Sequence, residues 1–194
     1  MNIIKKIYEK YFIKSGFEYA KYLRKKGILK KQGENCFISK GAGISDPYLT
    51  SIGDNVWITD GCKLLCHDAS VIMLNMMNGS HFDKVNTISI GDNSFLGNNT
   101  IVLPGVSIGY GTVIGAGSVV NKNIDNNSVW AGNPARFICT LEDYVKKTEL
   151  INASYPWKDI LKNRADKFDP NLNIAIETQI RSERHSYFYG GNPS

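Results

Sequence analysis

The side chains best suited to bond-making chemistry near neutral pH are three histidines and four cysteines. His67 stands between Cys66 and Asp68. An imidazole gains or loses a proton near neutrality, so a histidine facing a cleft can take the proton from a hydroxyl. The bland alternative for His67 is a solvated surface loop. Asp68 either orients that ring, binds an acceptor or is itself a solvated carboxylate. His81, in Asn78-Gly79-Ser80-His81, is a competing base, and His185 near the C-terminus reads as incidental. Cys62, Cys66 and His67 lack a second ligand pair at structural zinc spacing, so no metal site is expected. Cys36, Cys62, Cys66 and Cys139 form no CxxC pair and read as free thiols of a reducing compartment.

These residues are positioned by a six-residue beat. Ile90, Leu96, Val102, Ile108, Ile114 and Val120 follow one another at intervals of six. Gly91, Gly97, Gly109 and Gly115 directly follow four of them. Ser94, Thr100, Val106, Thr112 and Ser118 lie four places after the first five. A helix repeats at about 3.6 residues and a half-buried strand at about two, so neither template fits. A fixed short repeat with one inward aliphatic residue per turn predicts a mainly β solenoid of short stacked strands, a triangular prism. The beat is already present at Ile38 and Ile44. Asp46-Pro47 then inserts two residues before Ile52, Ile58 and Leu64. After Leu64 the phase is lost until Ile90, and residues 68–87 read as an excursion loop. His67 therefore sits where the last regular hexad gives way to that loop, a place where rigid scaffolds carry function.

Three regions follow: a basic helical segment over 1–34, the β-helix over 35–139, and a helical extension with a tail over 140–194. In the first, Ile3, Ile4, Ile7, Tyr8, Tyr11 and Phe12 line one helical face. Gly16 interrupts it, Phe17 to Arg24 form a further piece, and Gly27 is a stop. The extension is predicted helical near 141–150, 157–166 and 170–184. Residues 1–31 hold ten Lys or Arg against Glu9 and Glu18, so the chain's net +5 belongs to this segment and the rest sums to −3. Such a helix either lies on an anionic membrane surface or packs its apolar face on protein. No apolar run is long enough to span a bilayer and no signal-peptide pattern is present. A cytoplasmic protein is expected, with peripheral contact at the inner membrane face as an option. The charge is local and lacks an aromatic-basic motif, which argues against nucleic acid as a partner.

Several short stretches carry a family likeness. They are Ile52-Gly53-Asp54-Asn55, Cys66-His67-Asp68, Ile90-Gly91-Asp92-Asn93, Leu103-Pro104-Gly105-Val106, Ile114-Gly115-Ala116-Gly117-Ser118-Val119-Val120 and Gly132-Asn133-Pro134-Ala135-Arg136. With them, residues 36–140 resemble the hexapeptide-repeat acyltransferases, in particular the subgroup that acetylates sugars, including those of bacterial capsules and lipopolysaccharides. The resemblance implies a left-handed parallel β-helix and a homotrimer with acetyl-CoA, the acyl donor, between adjacent prisms. It implies His67 as the base in direct acetyl transfer to a hydroxyl, with no metal and no acyl-enzyme. It places acetyl-CoA along Gly97, Asn98, Gly115, Ala116, Gly117 and Ser118, with an amide near Gly97-Asn98 as oxyanion donor. Phe95 stands where several relatives have tryptophan. Lys122 and Arg136 are either partners of the CoA phosphates or solvated surface. Asp46, Asp68 and His81 are candidate acceptor contacts, and Ser39 and Asp54 are further polar groups nearby. Trp57 is either a face-packing aromatic or a trimer contact.

Other readings remain open at this point. N-acetylation of an amino sugar is one. Streptogramin-type acetylation is another, since a relative of that type carries its histidine in a setting like that of His81. A structural solenoid without catalysis is the non-enzyme alternative.

Overall fold

The computed structural model describes residues 13, 15–164 and 173–190. The helix expected over Ile3–Phe12 lies outside them. The chain forms two compact units, the first ending at Glu142 and the second beginning at Asp143.

The first unit is a three-faced coil. Its first face stacks β1 (Lys31–Gln32), β4 (Thr50–Ile52), β7 (Ile88–Ile90) and β10 (Ser107–Ile108). The second stacks β2 (Phe37–Ile38), β5 (Trp57–Ile58), β8 (Phe95–Leu96), β11 (Val113–Ile114) and β13 (Ser128–Ala131). The third stacks β3 (Gly43–Ile44), β6 (Lys63–Leu64), β9 (Ile101–Val102) and β12 (Val119–Val120). Every pairing within the coil is parallel and in register, so each aliphatic of the beat sits on its counterpart one coil away, as Ile58 does on Leu96. Ile38, Ile58, Leu64, Leu96, Ile114 and Val120 are wholly buried.

The other two columns of the beat have distinct physical causes. Ser94, Thr100 and Ser118 are buried, and each hydroxyl donates to a coil carbonyl: Gly109 O at 2.9 Å, Gly97 O at 2.7 Å and Gly115 O at 2.6 Å. A small hydroxyl there fills the corner and satisfies a turn carbonyl that would otherwise be buried unpaired. The glycine column reflects close approach of coils. A Cβ on Gly91 would lie 2.5 Å from the Tyr110 nitrogen, and one on Gly97 2.5 Å from the Ala116 nitrogen. Between the first and second faces, Asn35, Asn55, Asn93 and Asn127 hold left-handed turns with φ of 51 to 56°. Asn tolerates that region through local side-chain bonding.

Helix α1 (Gly16–Lys25) covers the start of the coil. Ser15 Oγ accepts from the Glu18 amide at 3.2 Å, and the Glu18 carboxylate accepts from the Ser15 amide at 3.1 Å, a reciprocal capping box. Gly16 opens this helix; a Cβ there would lie 2.6 Å from the Phe37 ring. Phe17 meets Phe37 and Trp57 edge-on, each at 5.3 Å, while those two rings stack at 4.7 Å. Trp57 is thus a face-packing aromatic. The coil begins earlier than the beat announces, because Gln32 occupies an aliphatic position opposite Ile52. Its amide donates to Ala20 O of α1 at 2.8 Å, which is why a polar residue stands there. The exit strand β13 turns back as an antiparallel β14 (Arg136–Thr140), forming a hairpin on the second face.

The excursion after Leu64 has structure of its own. Helix α2 (Ser70–Asn78) ends at Gly79, whose φ is 60°. No amphipathic period marks this helix, because Ile72, Met73, Met76 and Met77 are all exposed. Asn75 ties the return arm down, accepting from the Phe82 amide at 2.7 Å and donating to the Phe82 carbonyl at 2.9 Å. The loop closes where Asn86 N donates to Cys66 O at 2.7 Å and Asp68 N to Lys84 O at 2.9 Å.

In the second unit, α3 (Leu141–Ala153) begins at the boundary and is followed by 3₁₀ turns at Pro156–Lys158 and Ile160–Asn163, then α4 (Ile174–Tyr189). The helix expected over 157–166 is therefore a pair of short turns. Asn173 caps α4 by accepting from the Ala175 amide at 3.1 Å. Trp157 is buried, stacked on Tyr155 at 4.4 Å and met edge-on by Tyr187 at 5.4 Å. Among the described residues, no helix is long and apolar enough to cross a membrane.

Candidate active site

Both breaks in the beat fall at one corner of the prism, between the third face and the first. Asp46–Leu49 joins β3 to β4, and the excursion joins β6 to β7 one coil later. Stacked corners bring the two insertions together, and the His67 ring nitrogen Nδ1 donates to the Asp46 carboxylate. Asp46 reaches the ring from a left-handed backbone, φ 45°, that opens a 3₁₀ turn over Pro47–Leu49. The bond from Asp46 is the main reason the imidazole pKa is raised above its ordinary value, with its negative charge next and Asp83 and Asp68 adding smaller contributions. With Nδ1–H held by a carboxylate, the lone pair of the neutral ring lies on Nε2. His67 is exposed, so that nitrogen is open to a reactant.

Asp68 does something else. It accepts from Lys84 Nζ at 2.7 Å and from the Ser70 amide at 3.0 Å, and the Lys84 bond is the main cause holding its carboxyl well below the usual range. It fastens the foot of the excursion, whereas the carboxylate that orients the imidazole is Asp46. His81 is exposed on the return arm. Ser39 donates to Asp60 at 2.7 Å and Asp54 accepts from the Glu34 amide at 2.7 Å, so both stitch coils together. His185 lies in α4 of the second unit. The partnership of Asp46 and His67 was missed from the sequence, although both breaks follow a third-face aliphatic, Ile44 and Leu64.

The residues expected to hold the donor lie at another corner. Asn98 sits between β8 and β9, and Ala116 between β11 and β12, stacked where the second face meets the third. The Gly97 amide donates to Ile114 O, that of Gly115 to Trp130 O and that of Gly117 to Asn98 O, each at 2.8 Å. These amides are consumed by the coil, which removes Gly97 as an oxyanion donor. Among the described residues, the Asn98 and Ala116 amides donate to nothing, and both residues are exposed. One whole face separates them from His67 within a chain. Phe95 is 39% exposed on the second face beside this corner. Lys122 lies over the Trp130 ring at 5.0 Å, and Arg136 donates to Ala135 O at 3.2 Å. Ser118 is buried, its hydroxyl accepting from the Gly132 amide at 3.1 Å.

A six-repeat model of the bacterial transferase hexapeptide matches residues 87–122. Over 139 residues the chain is 42% identical to Protein CapG of Staphylococcus aureus, an alignment covering 70% of this chain and 78% of that one. The chain belongs to the hexapeptide-repeat transferase family. Galactoside O-acetyltransferase of Escherichia coli is 38% identical over 111 residues, 57% of this chain and about half, 54%, of that protein. A solved galactoside acetyltransferase in complex with coenzyme A superimposes with a TM-score of 0.53 at 30% identity, over 62% of this chain and 70% of that one. A hexapeptide-repeat containing acetyltransferase from Vibrio cholerae, at TM-score 0.51 and 21% identity, covers 66% of this chain and 82% of its own and shares the fold. This hexapeptide-repeat transferase is accordingly an acyltransferase on a left-handed β-helix. Burial pushes the Cys36 and Cys62 thiols up, which makes these two poor nucleophiles. Among the described residues, no group of three or more His, Cys, Asp or Glu is placed to hold a metal ion.

Proposed function

We propose that this chain is an acetyl-CoA-dependent O-acetyltransferase acting on a hydroxyl of a sugar or surface-glycan precursor, with His67 as general base. The observation that carries this reading is the His67–Asp46 pair at an exposed corner of a hexapeptide coil. Nε2 takes the proton of the acceptor hydroxyl as its oxygen attacks the thioester carbonyl and the C–O bond forms. Asp46 stabilises the resulting imidazolium. Collapse of the tetrahedral intermediate breaks the C–S bond, and the imidazolium returns the proton to the departing thiolate. No acyl-enzyme is required.

The free amides of Asn98 and Ala116 suit the donor's amide-rich arm and thioester oxygen. Because they lie one face away from His67, the complete site is read as forming between prisms, the base from one copy and the amides from its neighbour. That arrangement is what a homotrimer provides. Lys122 and Arg136 remain candidate contacts for the donor's phosphates. The hydroxyl acceptor is favoured over an amine by the likeness to a galactoside O-acetyltransferase. The test is incubation with labelled acetyl-CoA and a panel of glycan precursors, read by mass spectrometry. An acetyl ester removed by mild alkali is expected. An alkali-stable amide would replace this reading with N-acetylation, and no product on any precursor would overturn it.

A further inference from the structure

Tyr48 stands on the same turn as Asp46, and nothing in the mechanism above uses it. Its side chain is 62% exposed, and among the described residues the ring meets no aromatic neighbour and the hydroxyl makes no hydrogen bond. The turn beneath it is anchored on every side. Pro47 sets its first helical φ. Leu49 N donates to Asp46 O at 2.8 Å, and Lys30 N donates to Pro47 O at 3.0 Å. Leu49 packs against the core. A rigid support thus presents a bare ring to solvent. Two peptide units span at most about 7 Å, so the Cα of Tyr48 lies within that distance of the Asp46 Cα. The Asp46 carboxylate in turn touches His67.

A pyranose has hydroxyls around its edge and C–H groups on its faces. An exposed aromatic ring on the turn that carries Asp46 matches both, able to cover a C–H face while an edge hydroxyl reaches the base. We propose that Tyr48 is the platform on which the acceptor's sugar ring lies, selecting which hydroxyl reaches His67. This inference rests on reading the site as a sugar acetyltransferase.

The experiment measures thiol release from acetyl-CoA with p-nitrophenyl hexopyranosides of differing configuration, and with mannitol as a linear polyol. The wild type is expected to prefer pyranosides. Tyr48→Ala should raise the pyranoside KM about tenfold, the loss expected for one ring contact. The KM for acetyl-CoA, the pH profile and the rate on mannitol should stay as in the wild type. Tyr48→Phe should restore the low KM, since the face and not the hydroxyl does the binding. An unchanged pyranoside KM in Tyr48→Ala overturns the inference and leaves the acetyltransferase reading intact. So does activity lost together with a change in sedimenting mass, which would assign the ring to contact between copies. A wild type that acetylates no pyranoside overturns the sugar reading and this inference together.

Discussion

The regular coils and the corner that interrupts them obey opposite rules. In the coils every aliphatic of the beat except the half-buried Ile44 is buried, the strands ladder in parallel, and glycines mark where backbones nearly touch. At the corner, α2 buries none of its residues, Met76 is 83% exposed, and residues 69–82 include no Asp, Glu, Lys or Arg. The first region holds the packing, and the second holds the proposed base. The ladder of parallel strands continues past each insertion in register, so the corner can vary without loosening the prism.

The sharpest separation of the two regions comes from His67→Ala. It should lower kcat by about 10²- to 10⁴-fold, with a thermal melt unchanged at pH above the raised imidazole pKa. Mixing it with Ala116→Trp, which blocks the other corner, should restore about a quarter of wild-type activity if each site draws on two copies of a cyclic oligomer. Recovery of none would place the site within one chain. Leu96→Ala should do the reverse of the histidine change, costing about 2–5 kcal/mol in urea unfolding through a core cavity. Its rate per folded molecule should be close to that of the wild type.

Asp46→Asn should act on rate and pH together. Asp46 raises the imidazole pKa, so wild-type kcat/KM falls as pH drops through that raised value. Without the carboxylate the acid limb moves to lower pH while the plateau falls about tenfold or more. The pair's contribution to stability is full below the unfolded imidazole's pKa and is lost as pH rises through the raised folded one. The smallest effect belongs to Met76→Ser, which should change stability by less than about 0.5 kcal/mol, as surface positions do. A larger loss would show that the excursion is covered in the assembled protein.

The aliphatic beat was legible because one residue in six points to the axis, and burial permits little else there. Gln32 hid the first coil because it bonds to α1 instead of packing on the axis. Helix α2 was illegible for the opposite reason: with no buried face it has no period to detect. His67 is singled out in the sequence by its type and its place at a break. Its bond to Asp46 is not legible there, because twenty-one residues separate the two and only the stacking of corners makes them neighbours. Asp68 was the tempting choice by adjacency, yet its side chain is taken by Lys84.

The stacked corners also act as a thread of fixed pitch. Adjacent strands rise by about 4.8 Å, so the Asp46 carboxylate and the His67 ring are held one turn of the screw apart. Turns added beyond Val120 would lengthen the shaft and leave that spacing alone. A single turn spliced between Ile44 and Leu64 would double it, carry His67 out of reach of Asp46, and leave a well-folded screw with nothing to drive.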